Sequence, residues 1–596
     1  MIFMPDRRGL GFIAALLLLA APGWADTPAD FFAKGRADLS RGDGIAAEAD
    51  LSRALAAGTP KNAVAPYMGE AYLDQGDRKR ARAWLGSGDF AADHALHGLR
   101  MLGFLERQDG NLPAAGRVYD RALALAPNNL DLWVDIGRLR YAGGEQAQAI
   151  EAIDHALSLD PYSVRAMEFR GQLLRDQFGL AAALPWFEKA LALAPNRMPL
   201  LGEYAATLGE LGRAKDMLVV TRHMLSLDGN NAEAFYLQAV MAARAGDTAL
   251  ARAMLGRTRG RLSDVPAVML LESILELRAG NAATAAISLE RLISLQPANA
   301  RAQLLLARAL AETGENRQLL DRYAGIAGRT DTSPYLLTLL GRAQEELGRR
   351  DLAASVLDRA ANSGRPPIAL VAELIPDGAE PAIIAVRRAI AANNLEQAAQ
   401  VAEQLRTAHP GAAYAQAVAG DAQYALGKGP EALERYRAAA QIRLSDSLLL
   451  RMMAAMDRAG AAREAWPLVT AYAAQNPGSR VAAWTVAVGA AGDHDWARCQ
   501  TILEALRQSG AGSEVHLLAD LSVCQWRNGN VAEAVATAQT AYHLQRSSAA
   551  AAQAYGVSLA VEGKDPALAR AMLDKARTVG GDNPQLAAAR ARLKVR

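Results

Sequence analysis

Along the 596-residue chain, apolar and polar positions recur with a period of 34 residues, the length of one supersecondary unit and not of a single amphipathic element. Gly42, Gly76, Gly110, Gly144, Gly212, Gly246, Gly280, Gly314 and Gly348 share one grid; only Phe178 breaks it, with Gly179 beside it. Seven residues before these stand small residues, among them Gly35, Gly69, Gly103, Gly137, Gly171 and Gly341. Five residues after them stand mostly alanines, such as Ala47, Ala81, Ala115 and Ala149, followed by large apolar residues such as Leu51, Leu85, Tyr119, Ile153 and Phe187. Pro127, Pro161, Pro195 and Pro297 close their repeats.

Each column has a physical reason. A mid-repeat glycine followed by a polar residue ends one helix in a left-handed turn and caps the next, which makes a helical hairpin. Small residues on facing helices let the backbones approach while the large residues fill the space around them. The late proline stops the second helix because it lacks the amide hydrogen. Alanine and leucine are abundant and aromatics make up 6% of the chain, so local propensity favours helix and no sheet is expected.

These columns resemble the tetratricopeptide repeat, and residues 130–163 carry Trp133, Gly137, Ala149, Ala156 and Pro161 in the family's places. The resemblance implies an all-α, right-handed superhelical solenoid of about sixteen helix-turn-helix repeats. Ten regular repeats fill 26–367, and an irregular junction rich in proline spans 368–381. About six degenerate repeats fill 382–582, and 583–596 reads as a capping helix.

Ahead of the repeats, Arg7 and Arg8, the apolar run from Leu10 to Ala21 and the small residues Gly23 and Ala25 read as a cleaved signal peptide over 1–25. The expected destination is the periplasm of a Gram-negative bacterium. A net charge of +2 from 65 basic and 63 acidic residues argues against nucleic acid as a partner. The apolar run from Leu10 to Ala21 is too short to span a bilayer comfortably, and no cysteine follows it for lipid attachment, so membrane association is expected only through a partner.

No catalytic or metal-ligating constellation stands out, and no cofactor is expected. His494 between Asp493 and Asp495 follows Gly492 at an inter-helix turn and reads as capping chemistry, while His155, His223 and His543 are scattered without ligand spacing. Cys499 and Cys524, the two cysteines, fall on helices of consecutive repeats. They read either as a candidate disulfide in an oxidising compartment or as small buried residues.

The resemblance further implies that the first helix of each repeat lines a concave binding face. The family's groove positions transfer to Arg100, Phe104, Arg107, Arg138, Tyr141, Arg165, Arg175, Tyr236, Arg308 and Arg342, with Phe32, Arg36, Tyr335 and Arg451 among further positions. Arginine beside aromatics suits an acidic or extended protein segment. Leu270, Ile274 and Leu277 put aliphatic residues where the groove should be, so either a partner helix docks there or the superhelix closes on itself. The expected function is a non-catalytic scaffold for envelope proteins, with envelope assembly and exopolysaccharide export as its setting. The alternative is a glycan- or peptidoglycan-binding module, disfavoured because Trp84, Trp133 and Trp186 fall at packing positions.

Overall fold

A computed structural model describes residues 27–297, 299–328, 332–362, 381–512 and 514–595. The expected signal peptide and the junction up to residue 380 lie outside the described residues. Among the described residues there are 33 α-helices and no strand. The helices pair in order as hairpins, from Pro28–Ser40 with Gly44–Ala56 to Ala549–Glu562 with Pro566–Gly580, and Pro584–Val595 stands alone at the end. The chain is thus an all-α array of helix-turn-helix repeats. In the last helix Leu586, Ala589 and Leu593 pack against the preceding hairpin.

The grid glycines make the turns. Gly144 has a φ of +78° and the other glycines of its column are also left-handed; where glycine is missing, Asn393 and His494 take that conformation with φ of 58° and 61°. Asp495, next to His494, then accepts from the backbone N–H of Arg498 and starts the following helix. First helices begin in the same manner, Asn129, Ser163 and Asn231 accepting from the N–H groups of Leu132, Ala166 and Ala234.

Within a hairpin, small and large columns interlock. A β-carbon on Gly420 would lie 2.5 Å from the Tyr436 ring, and one on Gly103 would overlap the Cε1 edge of the Tyr119 ring. Tyr119, Tyr436 and Phe187 are among the largest fully buried side chains. The glycine column therefore fixes how near the second helix lies.

The chain forms two compact units that part between Gly143 and Gly144. The core of the first unit joins Leu51, Leu85, Leu105, Tyr119 and Leu132. The core of the second is a succession of clusters from consecutive repeats, such as Met167, Phe187 and Leu200, then Leu289, Leu306 and Tyr323. Leu277 belongs to the latter cluster and Leu270 packs against it, so these two aliphatic residues serve their own stack. A disulfide joins Cys499 and Cys524 across helices Trp496–Leu506 and Val515–Arg527, with Cα atoms 5.9 Å apart and both cysteines buried among Leu503 and Leu521.

The second unit also touches itself across a long sequence distance. Ala147 N–H donates to Gly411 O (3.0 Å), Ala413 N–H to Gln146 Oε1 (3.2 Å) and Gln177 Nε2 to Gln441 O (2.8 Å). The last two pairs are 267 and 264 residues apart, close to eight repeat lengths, so a later run of repeats lies along an earlier one as a second coil.

Candidate partner-binding faces

In the first unit, Arg100, Phe104 and Arg107 share helix Ala95–Gln108, and Arg138 and Tyr141 lie on Leu130–Ala142. Arg100 is buried: its Nε donates to Asp135 (2.7 Å) and its Nη1 to Asp131 (3.2 Å) on the next first helix. Its charge ties two repeats together. Arg107 stacks over Phe104 at 5.1 Å and both are half-buried, while Arg138 is half-buried and Tyr141 exposed.

Beside them lies a cluster that sequence reading did not assemble. The Tyr67 ring stacks on His97 at 4.6 Å, meets Phe32 and His94 edge-on, and has the Arg36 guanidinium 5.1 Å from its centre. Tyr67 Oη and His94 Nδ1 are 3.1 Å apart, and His97 Nε2 lies 2.8 Å from Glu70 Oε2. Burial, and then the Arg36 charge, hold His94 below the usual histidine range. Asp74, one turn beyond Glu70, is pushed up to about 6, first by loss of hydration and then by Glu70, although it keeps an exposed face. The signal in the sequence was a pair of i, i+3 doublets, Tyr67 with Glu70 and His94 with His97, about one repeat apart.

In the second unit the groove candidates fall into two groups. Arg165 and Arg175 lie on helix Val164–Phe178, both half-buried, and Arg175 donates to Glu203 on the next first helix (2.9 Å). Arg175 also lines a polar cleft of about 530 Å³ with Asp176, Arg443, Asp446, Asn476 and Ser479. Tyr236 is half-buried and burial raises its phenol pKa. Arg308 and Arg342 come together: Arg308 donates to Glu312 (2.7 Å), and Glu312 lines a cleft with Leu339, Arg342 and Glu346 on helix Pro334–Glu346. Arg342 donates to Glu345 (2.6 Å), and Tyr335 on the same helix is 46% exposed, enough to meet another molecule.

Many of the arginines find acids or carbonyls one repeat away. Arg82 donates to Glu106 (2.7 Å) and Asp109 (2.8 Å), and Arg252 to Glu276 (3.0 Å). Arg244, Arg278 and Arg458 reach back 34 or 35 residues to the carbonyls of Gly209, Ala243 and Tyr424, at 2.6–2.7 Å. Those carbonyls lie in the last turns of the preceding first helices, where a cation is favoured. No helix among the described residues is long and apolar enough to cross a membrane.

Residues 100–164, 134–197 and 270–325 match the tetratricopeptide repeat family. A curated relative, protein adenylyltransferase fic-1 of Caenorhabditis briggsae, is 35% identical over 66 residues, which are 11% of this chain and 13% of that protein. This chain thus spans about an eighth of the length of the curated relative it matches. Among solved structures, the APC/C hetero-tetramer Cut9-Hcn1 is similar at 13% identity and a TM-score of 0.42, covering 95% of this chain and 96% of that one. A tetratricopeptide repeat protein from Parabacteroides merdae is similar at 17% identity and a TM-score of 0.32, over 48% of this chain and all of that one.

Proposed function

The chain is a tetratricopeptide-repeat protein, an architecture of protein-interaction scaffolds, and we propose that it serves as a periplasmic scaffold in envelope assembly, with exopolysaccharide export the foremost setting. The observation that carries this reading is the face shared by helices Ala300–Glu312 and Pro334–Glu346. There Glu312, the half-buried Leu339, Arg342 and Glu346 line an open cleft, with Arg308 paired to Glu312 and the exposed Tyr335 on the same two helices. Such a mixture of charge and aromatic surface suits an extended protein segment, because exposed ion pairs are cheap to exchange for those of a partner. The buried Cys499–Cys524 disulfide supports an oxidising compartment, where such bridges persist.

The test is co-purification from the envelope fraction with the wild type and with a chain carrying Arg308→Glu, Tyr335→Ala and Arg342→Glu. These side chains are exposed or half-buried, so the fold is expected to survive, whereas a change at the buried Arg100 would act on stability. One envelope machine recovered with the wild type and lost with the variant supports the reading. Recovery of the same partners by both removes this face from it. Saturable binding of a soluble glycan by the wild type, with no protein recovered, would favour the glycan-binding alternative.

A further inference from the structure

The seam where the second unit touches itself is made differently from the contacts between successive repeats. Three of its cross-coil bonds, Ala147 to Gly411, Ala413 to Gln146 and Gln177 to Gln441, run between neutral donors and acceptors. Water replaces such bonds at little net loss once they part. Two amide oxygens at the seam, Gln148 Oε1 and Gln177 Oε1, are buried without a protein hydrogen-bond partner, which penalises the closed arrangement and is relieved on exposure. The polar cleft that holds Arg175 and Arg443 opens along the same line. The apolar clusters beside the seam are built from neighbouring repeats of one coil, such as Leu184, Ala205 and Leu208 on one side and Leu449, Val469 and Tyr472 on the other.

The closed state is nonetheless a shaped one. At two crossings a glycine lies under a side-chain amide of the other coil: Gly411 under Gln148, and Gly179 under Asn476, where a β-carbon would lie 2.5 Å from the amide nitrogen. Close fit at these points alternates with polar contacts that are incompletely satisfied.

We propose that this seam is a latch: the two coils of the second unit separate and re-close as bodies. The opening does not rest on the scaffold reading. Separation leaves each repeat stack intact, because the cores lie within the coils.

The test uses the full chain with spin labels on cysteines placed at the exposed positions Glu151 and Thr407, the native cysteines being joined to each other. Double electron–electron resonance is expected to show a short and a long distance in the wild-type background. Gly411→Val, whose side chain overlaps Gln148, should enrich the long distance, and adding Gln148→Ala should restore the short one. A single narrow distance in the wild-type background overturns the latch, and so does a Gly411→Val chain that keeps the wild-type distribution while unchanged in helical circular dichroism. No partner is present, so this experiment can fail while the co-purification succeeds, and the reverse.

Discussion

The third repeat, in the first unit, and the hairpin Ala413–Ala425 with Gly429–Ile442, in the second, solve the same packing problem with opposite charges. In both a tyrosine covers a glycine, Tyr119 over Gly103 and Tyr436 over Gly420. In both a buried arginine–aspartate pair ties the first helix to the next. In the third repeat the arginine comes first, Arg100 reaching forward to Asp131 and Asp135. In the later hairpin the acid comes first: Asp421, fully buried, accepts from Tyr436 Oη at 2.7 Å and faces Arg451 at 3.5 Å. Tyr119 Oη has no such acceptor. The apolar columns thus dictate geometry, while the sign of the polar tie is free to invert provided that both partners invert together.

The comparison breaks most sharply at the acids. Asp421→Ala removes a fully buried carboxylate that accepts from the Tyr436 hydroxyl and faces Arg451, and should lower stability by about 3–5 kcal/mol. Asp135→Ala leaves Arg100 its contact with Asp131 and should lose less, about 1–3 kcal/mol. Urea unfolding followed by circular dichroism reads both, and equal losses would mean that Asp131 does not share the charge.

Next come the glycines. Gly103→Ala and Gly420→Ala force a methyl into a tyrosine ring and should each destabilise by about 1–3 kcal/mol through overpacking. Pairing each with its tyrosine changed to leucine should recover part of that loss, because the branched chain is shorter.

The hydroxyls should separate the two repeats again. Tyr436→Phe deprives a buried carboxylate of a donor and should lose about 1–3 kcal/mol, whereas Tyr119→Phe should stay within about 0.5 kcal/mol of wild type. Burial and Asp421 raise the Tyr436 phenol well above its ordinary value, so this difference should persist across the neutral and alkaline range in which the fold is stable.

The smallest effect concerns pH. The raised carboxyl of Asp74 takes a proton more readily in the folded than in the unfolded chain, so its ionisation opposes folding above about pH 6. Asp74→Asn should therefore raise the melting temperature at pH 8, and the gain should shrink as pH falls through 6 towards the unfolded carboxylate range. A gain independent of pH would assign the effect to something other than that charge.

The repeat length, the hairpin turns and the glycine-to-aromatic contacts were legible in the sequence, because each is fixed by residues within one repeat and restated many times. The fate of the groove arginines was not. Arg100 and Arg175 carry the same spacing signal as Arg308 and Arg342, yet their acids stand about 30 residues away on the next repeat, and only folded distances show which pairs form. The seam was less legible still, since its register sums small rotations over nearly eight repeats, none of which leaves a mark at Gly411 or Gln177. The histidines gave a weaker signal than they merited: His94 and His97 become neighbours of Tyr67 and Glu70 only when two first helices lie side by side.

The disulfide also bears on how the array would answer a pull on its ends. A linear stack yields to tension one repeat after another, each releasing its full contour length. Between Cys499 and Cys524 the thread is shorted: 25 residues of chain, roughly 80 Å when drawn out, are replaced by a link of 5.9 Å. Under load that stretch would act as a knot of fixed size near the C-terminal end, holding two neighbouring repeats in register after the hairpins around them had unravelled.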